Sequence, residues 1–178
     1  STDGTITGEQ VHKYCQEHFE SGIKEHTIQP GMVYISHPTE NGTLYTKAQL
    51  TELKKACDTY HLPLFIDGAR LGYGLTSPDS GLTLKDIAQL SDIFYIGGTK
   101  CGAMFGEAVV IPNPGLVKDF RYMIKQRGGM LAKGRLLGIQ FDTLFTDGLY
   151  FEICEKAVKQ ALTIREAFAK KGIPLYGK

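Results

Sequence analysis

The chain has 178 residues, 42% of them hydrophobic, with 20 Lys and Arg against 19 Asp and Glu and a formal net charge of +1. That length suits one domain able to bury most of its apolar surface, and the near-neutral balance with no basic tract argues against a nucleic-acid partner. No apolar run approaches the ~20 residues of a membrane span, and Cys15, Cys57, Cys101 and Cys154, with no CxxC pair, read as reduced thiols of a cytoplasmic protein with no metal site.

A helix is expected from Thr7 to Phe19, with Gln10 completing a capping box and Val11, Cys15 and Phe19 on one face. His12, His18 and His26 lack metal-ligand spacing and read as surface residues. Met32-Val33-Tyr34-Ile35 reads as a strand. The loop after it, Ser36 to Gly42, offers His37, Glu40 and Asn41 as polar contacts to a ligand; the competing reading is turn chemistry around Asn41-Gly42. Thr46 caps a second helix, with Leu50, Leu53, Cys57 and Tyr60 as its apolar stripe. The run Leu62 to Ile66 reads as a strand buried on both faces, ending abruptly in Asp67. The glycine-rich stretch from Leu71 to Gly81 is expected to be a long, mobile loop at the site. A short helix over residues 84–90, capped by Thr83, leads to a third strand, Ile93 to Ile96.

Gly97-Gly98-Thr99-Lys100 follows, with glycines that would let a ligand approach closely. Only about ten residues then separate this strand from Glu107 to Ile111, too few for a parallel crossover, so the fourth strand is expected to run antiparallel. Helices are expected over 116–126, 130–145 and 149–171, with Gly172 just past the last. A further strand would start at Ile173-Pro174-Leu175-Tyr176.

Ligands of parallel sheets sit beyond the carboxyl ends of the strands, which is where Asp67, Arg70 and Lys100 fall. Asp67-Gly68-Ala69-Arg70 followed by Gly98-Thr99-Lys100 resembles the fold type I pyridoxal-phosphate enzymes, most closely the β-eliminating lyase and threonine aldolase branch. The resemblance covers roughly residues 31–174. It implies an α/β fold: the large domain of that fold type, a mainly parallel sheet with one antiparallel strand and helices on both faces. Residues 1–147 would be part of the cofactor-binding domain. Residues 148–178 would form a helix leading toward a small C-terminal domain outside this chain.

By the same resemblance Lys100 would carry pyridoxal 5'-phosphate as a Schiff base, and Asp67 would pair with its pyridine nitrogen. Arg70 would lie near the cofactor and the substrate carboxylate, with His37 a further cofactor contact. Burial at the strand end is expected to lower the pKa of the Lys100 amine and so favour its neutral form; Cys101 beside it is a candidate for exposure at the site. The implied activity is a lyase cleaving a bond at Cα of an amino acid, led by aldol cleavage of a β-hydroxy amino acid to glycine and an aldehyde. β-Elimination and transamination on the same fold are the alternatives. Threonine aldolases often carry a basic residue after Gly-Gly-Met; here Leu131 takes that place and Lys133 follows. A homodimer or homotetramer is implied, with Arg127 and Lys133 candidates to reach a partner's cofactor phosphate. Non-enzymatic readings are a degenerate α/β scaffold or a nucleotide-binding module, and no GxGxxG follows any expected strand.

Overall fold

In a computed structural model, which describes residues 3–175, three helices begin at the expected threonines. Thr7, Thr46 and Thr83 each accept a hydrogen bond from the backbone N–H three residues on, and the Gln10, Gln49 and Asp86 side chains each accept one from the cap backbone N–H. These boxes start α1 (Gly8–Phe19), α2 (Lys47–Thr59) and α4 (Leu84–Gln89). The donors of a first helical turn lack partners within the helix, so a cap bond at each threonine sets where the helix begins.

The strands are β1 (Val33–Ser36), β2 (Leu64–Asp67), β3 (Ile93–Gly97) and β4 (Glu107–Val110), paired in that order. The first three are parallel and β4 is antiparallel to β3. The short link before β4 has this consequence because it leaves no room for a crossover. The register sets Ser36 level with Asp67, and Gly97 level with Glu107. The carboxyl ends of β1, β2 and β3 and the start of β4 therefore meet at one edge.

One face of the sheet, carrying Val33, Ile35, Leu64, Ile66, Phe94 and Ile96, is buried together with Leu50, Leu53 and Cys57 of α2. Each such aliphatic side chain contributes about 1.5–3 kcal/mol of burial free energy. The opposite face is aromatic: Tyr34 stacks on Phe65 at 5.1 Å, and Phe65 meets Tyr95 edge-on at 5.4 Å. This face is half open, with Tyr34 48% and Val109 51% exposed. Leu64 to Asp67 is thus buried on alternate positions and not on both faces. The alternation of strand side chains is the cause, since Phe65 and Asp67 share the open side.

Two further departures concern segments expected to be loop or surface. Residues 71–76 form a helix, α3 (Leu71–Thr76), with Leu71, Gly72 and Gly74 buried, and it packs on α7 (Leu149–Lys170). It is anchored where Tyr150 of α7 accepts a hydrogen bond from the Gly72 N–H at 3.1 Å and donates to the Gly97 carbonyl at 3.2 Å. Residues 71–76 are therefore not a mobile loop; Gly72 admits the helix close to Tyr150 and Cys154, and Gly74 lets it approach Pro38 and His37. His18, read as a surface residue, is buried, its Nδ1 2.9 Å from the Thr27 hydroxyl.

α5 (Phe120–Gln126) and α6 (Arg135–Phe145) lie within the expected spans but are shorter, because a 3₁₀ turn occupies Pro114–Leu116 and a turn containing Gly128 precedes α6. Gly172 follows α7 at φ 69°, the left-handed conformation expected of a helix-ending glycine. Residues 173–175 are irregular, and the last residue of the expected strand start, Tyr176, lies outside the described residues.

Candidate active site at the strand ends

Asp67 closes β2 on the open face of the sheet. Its Oδ1 accepts from the Ala69 N–H at 2.9 Å, and its Oδ2 accepts from the Tyr34 hydroxyl. The Tyr34 and Tyr95 hydroxyls lie 3.4 Å apart. Burial by itself pushes the Asp67 carboxyl up, but the Tyr34 and Tyr95 hydroxyls, the Ala69 N–H and the Lys100 charge outweigh it, and its pKa falls below the ordinary aspartate value. Asp67 is thus a fixed carboxylate at neutral pH.

Lys100 stands in the turn just past β3, built by Cys101 and Ala103 N–H groups both donating to the Gly98 carbonyl at 2.9 Å. Its own carbonyl accepts from the Tyr73 hydroxyl. Lys100 is exposed, which corrects the expectation of burial at the strand end. It nonetheless shares the edge with Asp67 and acts on its charge, so the two residues meet at one end of the sheet. Cys101 is the reverse case: expected near the surface, it is completely buried, as are Cys57 and Cys154, with Cys15 nearly so, and all four thiols are free.

Glycines at the ends of β2 and β3 also serve the packing of the two strands. A Cβ at Gly97 would lie 2.2 Å from the Ala69 carbonyl oxygen, and one at Gly68 would lie 2.0 Å from the Tyr95 carbonyl oxygen. They let the ends of β2 and β3 touch, joined by the Gly97 N–H donating to the Gly68 carbonyl at 2.9 Å. That contact holds the Asp67 and Lys100 turns together.

Arg70 sits at the start of α3, and its Nη1 is 3.0 Å from Glu40 Oε1. Both line an open cleft of about 720 Å³ with Asn41, Tyr73 and, from α7, Arg165. Glu40 and Asn41 therefore line the cleft beside Arg70. His37 is not. It is completely buried, its Nδ1 accepts from the Tyr45 N–H at 3.4 Å, and its Nε2 has no hydrogen-bond partner. Burial pushes the ring's pKa down to about 4. A contact from His37 to a cofactor is corrected accordingly: its Nε2 side faces Gly74 of α3 and the ring has no exposed surface, making it a core residue of the loop.

Three site residues escaped sequence reading. Tyr34 and Tyr95 look like ordinary strand aromatics, and only the parallel register brings them to Asp67. Glu107 opens β4 on the same face; burial and the Asp67 charge raise its pKa while Lys100 opposes them. The alternation within Glu107 to Val110 was the one available signal. Among the described residues no cluster suits a metal ion, and no helix is long and apolar enough to cross a membrane.

The donor set, an amine, a fixed carboxylate and a guanidinium at one sheet edge, fits pyridoxal phosphate: Asp67 is ionised, as a partner for a protonated ring nitrogen must be. A family model described as beta-eliminating lyase matches residues 1–172. A low specificity L-threonine aldolase of Pseudomonas sp. strain NCIMB 10558 is 32% identical over 127 residues, covering 70% of this chain and 36% of the relative. One from Pseudomonas aeruginosa is 29% identical over 146 residues, covering 81% of this chain and 42% of the relative. A solved structure of Leishmania major threonine aldolase superposes with a TM-score of 0.93 at 44% identity, over 99% of this chain and 50% of that one. The chain thus spans half the length, or less, of these relatives.

Proposed function

Since the chain belongs to the beta-eliminating lyase family, whose members depend on pyridoxal phosphate, we propose that this protein is a pyridoxal-phosphate-dependent amino-acid lyase of the threonine aldolase kind. The observation that carries the reading is the meeting of Asp67 and Lys100 at the carboxyl ends of adjacent parallel strands. Its substrate is a β-hydroxy amino acid, cleaved to glycine and an aldehyde. When bound, the cofactor supplies an electron sink for the pair released as a bond to Cα breaks.

The chain's own residues hold and orient it. Lys100 supplies the amine of covalent attachment, and the turn around Gly98 aims that side chain from a fixed backbone. Asp67 holds a proton on the ring nitrogen, which its low pKa allows because the carboxylate stays charged when it accepts. Arg70, planar and always charged, pairs with the substrate carboxylate by exchanging its Glu40 partner for it. β-Elimination is the second reading, favoured by Leu131 standing where threonine aldolases often carry a basic residue.

We further propose a cytoplasmic homodimer or homotetramer. Tyr122, Leu131, Leu136 and Ile139 on and between α5 and α6 are each more than half exposed, an apolar surface suited to a second subunit. The outer half of α7 leaves Ile164 and Phe168 exposed, and we propose that this helix leads toward a small domain.

The test uses the intact polypeptide. Borohydride reduction with added cofactor, followed by peptide mass spectrometry, should place the adduct on Lys100, and Lys100→Ala should abolish it. Threonine, offered alongside serine, cysteine and aromatic amino acids, should be cleaved to glycine and acetaldehyde. An adduct on another lysine, or no adduct, would overturn the assignment.

A further inference from the structure

The Asp67 carboxylate is held by two donors from different parts of the chain. The Ala69 N–H comes from its own turn, whereas the Tyr34 hydroxyl comes from the neighbouring strand, 33 residues earlier in the chain. Tyr34 sits two positions back along the sheet on the same face, since it is level with Phe65. Its ring is nearly parallel to that of Phe65, at 15° and 5.1 Å between centroids, so the stack fixes the direction in which the hydroxyl points. The Tyr95 hydroxyl lies 3.4 Å further along, completing a file of two phenols beside one carboxylate.

We propose that Tyr34 is a positioning residue for the catalytic carboxylate: its hydroxyl holds Asp67 ionised and in the orientation that receives the protonated ring nitrogen of the cofactor. This rests on the function proposed above. A carboxylate oxygen has two lone pairs. With Oδ1 committed to Ala69 and Oδ2 to Tyr34, the plane of the group is set before any ligand arrives, and one lone pair on each oxygen stays available. Hydrogen bonds to the charged form also favour ionisation, against the effect of burial. An ordinary strand aromatic would need only its ring; the direction of the hydroxyl is what marks Tyr34 out.

The groups that face Asp67 are Tyr34 from β1, Tyr95 from β3, Lys100 from the turn after β3 and Glu107 from β4, with Glu40 acting on Tyr34 from the loop after β1. The test must isolate one hydroxyl among them. Tyr34→Phe keeps the ring on Phe65 and removes only the donor. In the cofactor-free intact protein, the Asp67 carboxyl is followed by carbon NMR across an acid titration. Its midpoint should move upward in Tyr34→Phe and by less in Tyr95→Phe. An unchanged midpoint in Tyr34→Phe, or a larger shift in Tyr95→Phe, overturns the proposal.

The second readout is cofactor affinity. Tyr34→Phe should weaken pyridoxal phosphate binding about tenfold, or about 1.4 kcal/mol, and Tyr34→Leu, which also loses the ring, at least as much. If Asp67→Asn weakens binding while Tyr34→Phe does not, the role of Tyr34 is refuted and the reading of Asp67 survives. If Asp67→Asn leaves affinity unchanged, that reading fails, and the positioning role falls with it.

Discussion

Replacing Gly68 by alanine should separate the two strand ends that form the site. A Cβ there would stand 2.0 Å from the Tyr95 carbonyl oxygen and 3.0 Å from the Leu71 Cβ. Both obstacles are close to backbone, so no side-chain rotation relieves the first. Either the turn after Asp67 or the end of β3 must retreat by about 1 Å to reach a tolerable 3.0 Å separation. Overpacking of this kind costs about 1–3 kcal/mol. The retreat also stretches the Gly97–Gly68 hydrogen bond, now 2.9 Å, whose net contribution is about 1 kcal/mol. Gly68→Ala should therefore lose about 2–4 kcal/mol, which in a domain of this size lowers Tm by about 5–15 °C. Gly138→Ala is the matched control. It lies inside α6, where a Cβ meets nothing within 4 Å, and the same substitution should be neutral or stabilising by up to about 1 kcal/mol. Urea and thermal unfolding of the two variants measure both signs. A Gly68→Ala protein within about 0.5 kcal/mol of the parent would refute the close approach of β2 and β3 as the reason for glycine here.

Two further outcomes follow from buried titratable groups. Burial holds the His37 ring at a pKa of about 4 against an ordinary 6.5, so as pH falls below 6.5 the unfolded chain takes up a proton that the folded one refuses. Stability should be full above pH 6.5 and decline toward pH 4 by up to about 3 kcal/mol; His37→Asn should flatten that part of a stability–pH profile, and an unchanged slope would contradict the buried neutral ring. Asp92 at the start of β3 accepts from the Leu64 N–H at 2.8 Å, Lys54 at 3.0 Å and Asn113 at 2.8 Å. Burial raises its pKa, but these three partners more than reverse that, so its contribution is present above the ordinary aspartate range and lost only as pH falls through a lower value. Asp92→Ala leaves the Leu64 N–H buried without an acceptor and should cost about 3 kcal/mol by denaturant titration; a change under about 1 kcal/mol would place it among the weak surface pairs.

The elements legible in the sequence were those whose causes are local. Thr7, Thr46 and Thr83 carry their capping partners three residues away, and α1, α2 and α4 begin there. The strand runs around Ile35, Ile66 and Phe94 contain their own termination signals, and the ten-residue link before β4 carries its direction. Because parallel strands expose ligands at their carboxyl ends, Asp67 and Lys100 could be placed together from these local facts alone.

What tertiary structure decided depends on partners far apart in the chain. The Tyr34 hydroxyl reaches Asp67 across 33 positions and meets the Tyr95 hydroxyl across 61, through a register that no local pattern specifies. The burial of His37 depends on Tyr45 and on α3 closing over it, while Gly68 and Gly97 are required by each other's strand. Tyr150 ties α3 to β3 from a helix that begins 52 residues after β3 ends. Spacing along a helix or strand is set by backbone geometry and can be read ahead of folding. Contacts between strand ends are set by how elements pack in three dimensions, and there the same residue types serve equally well as core or as site.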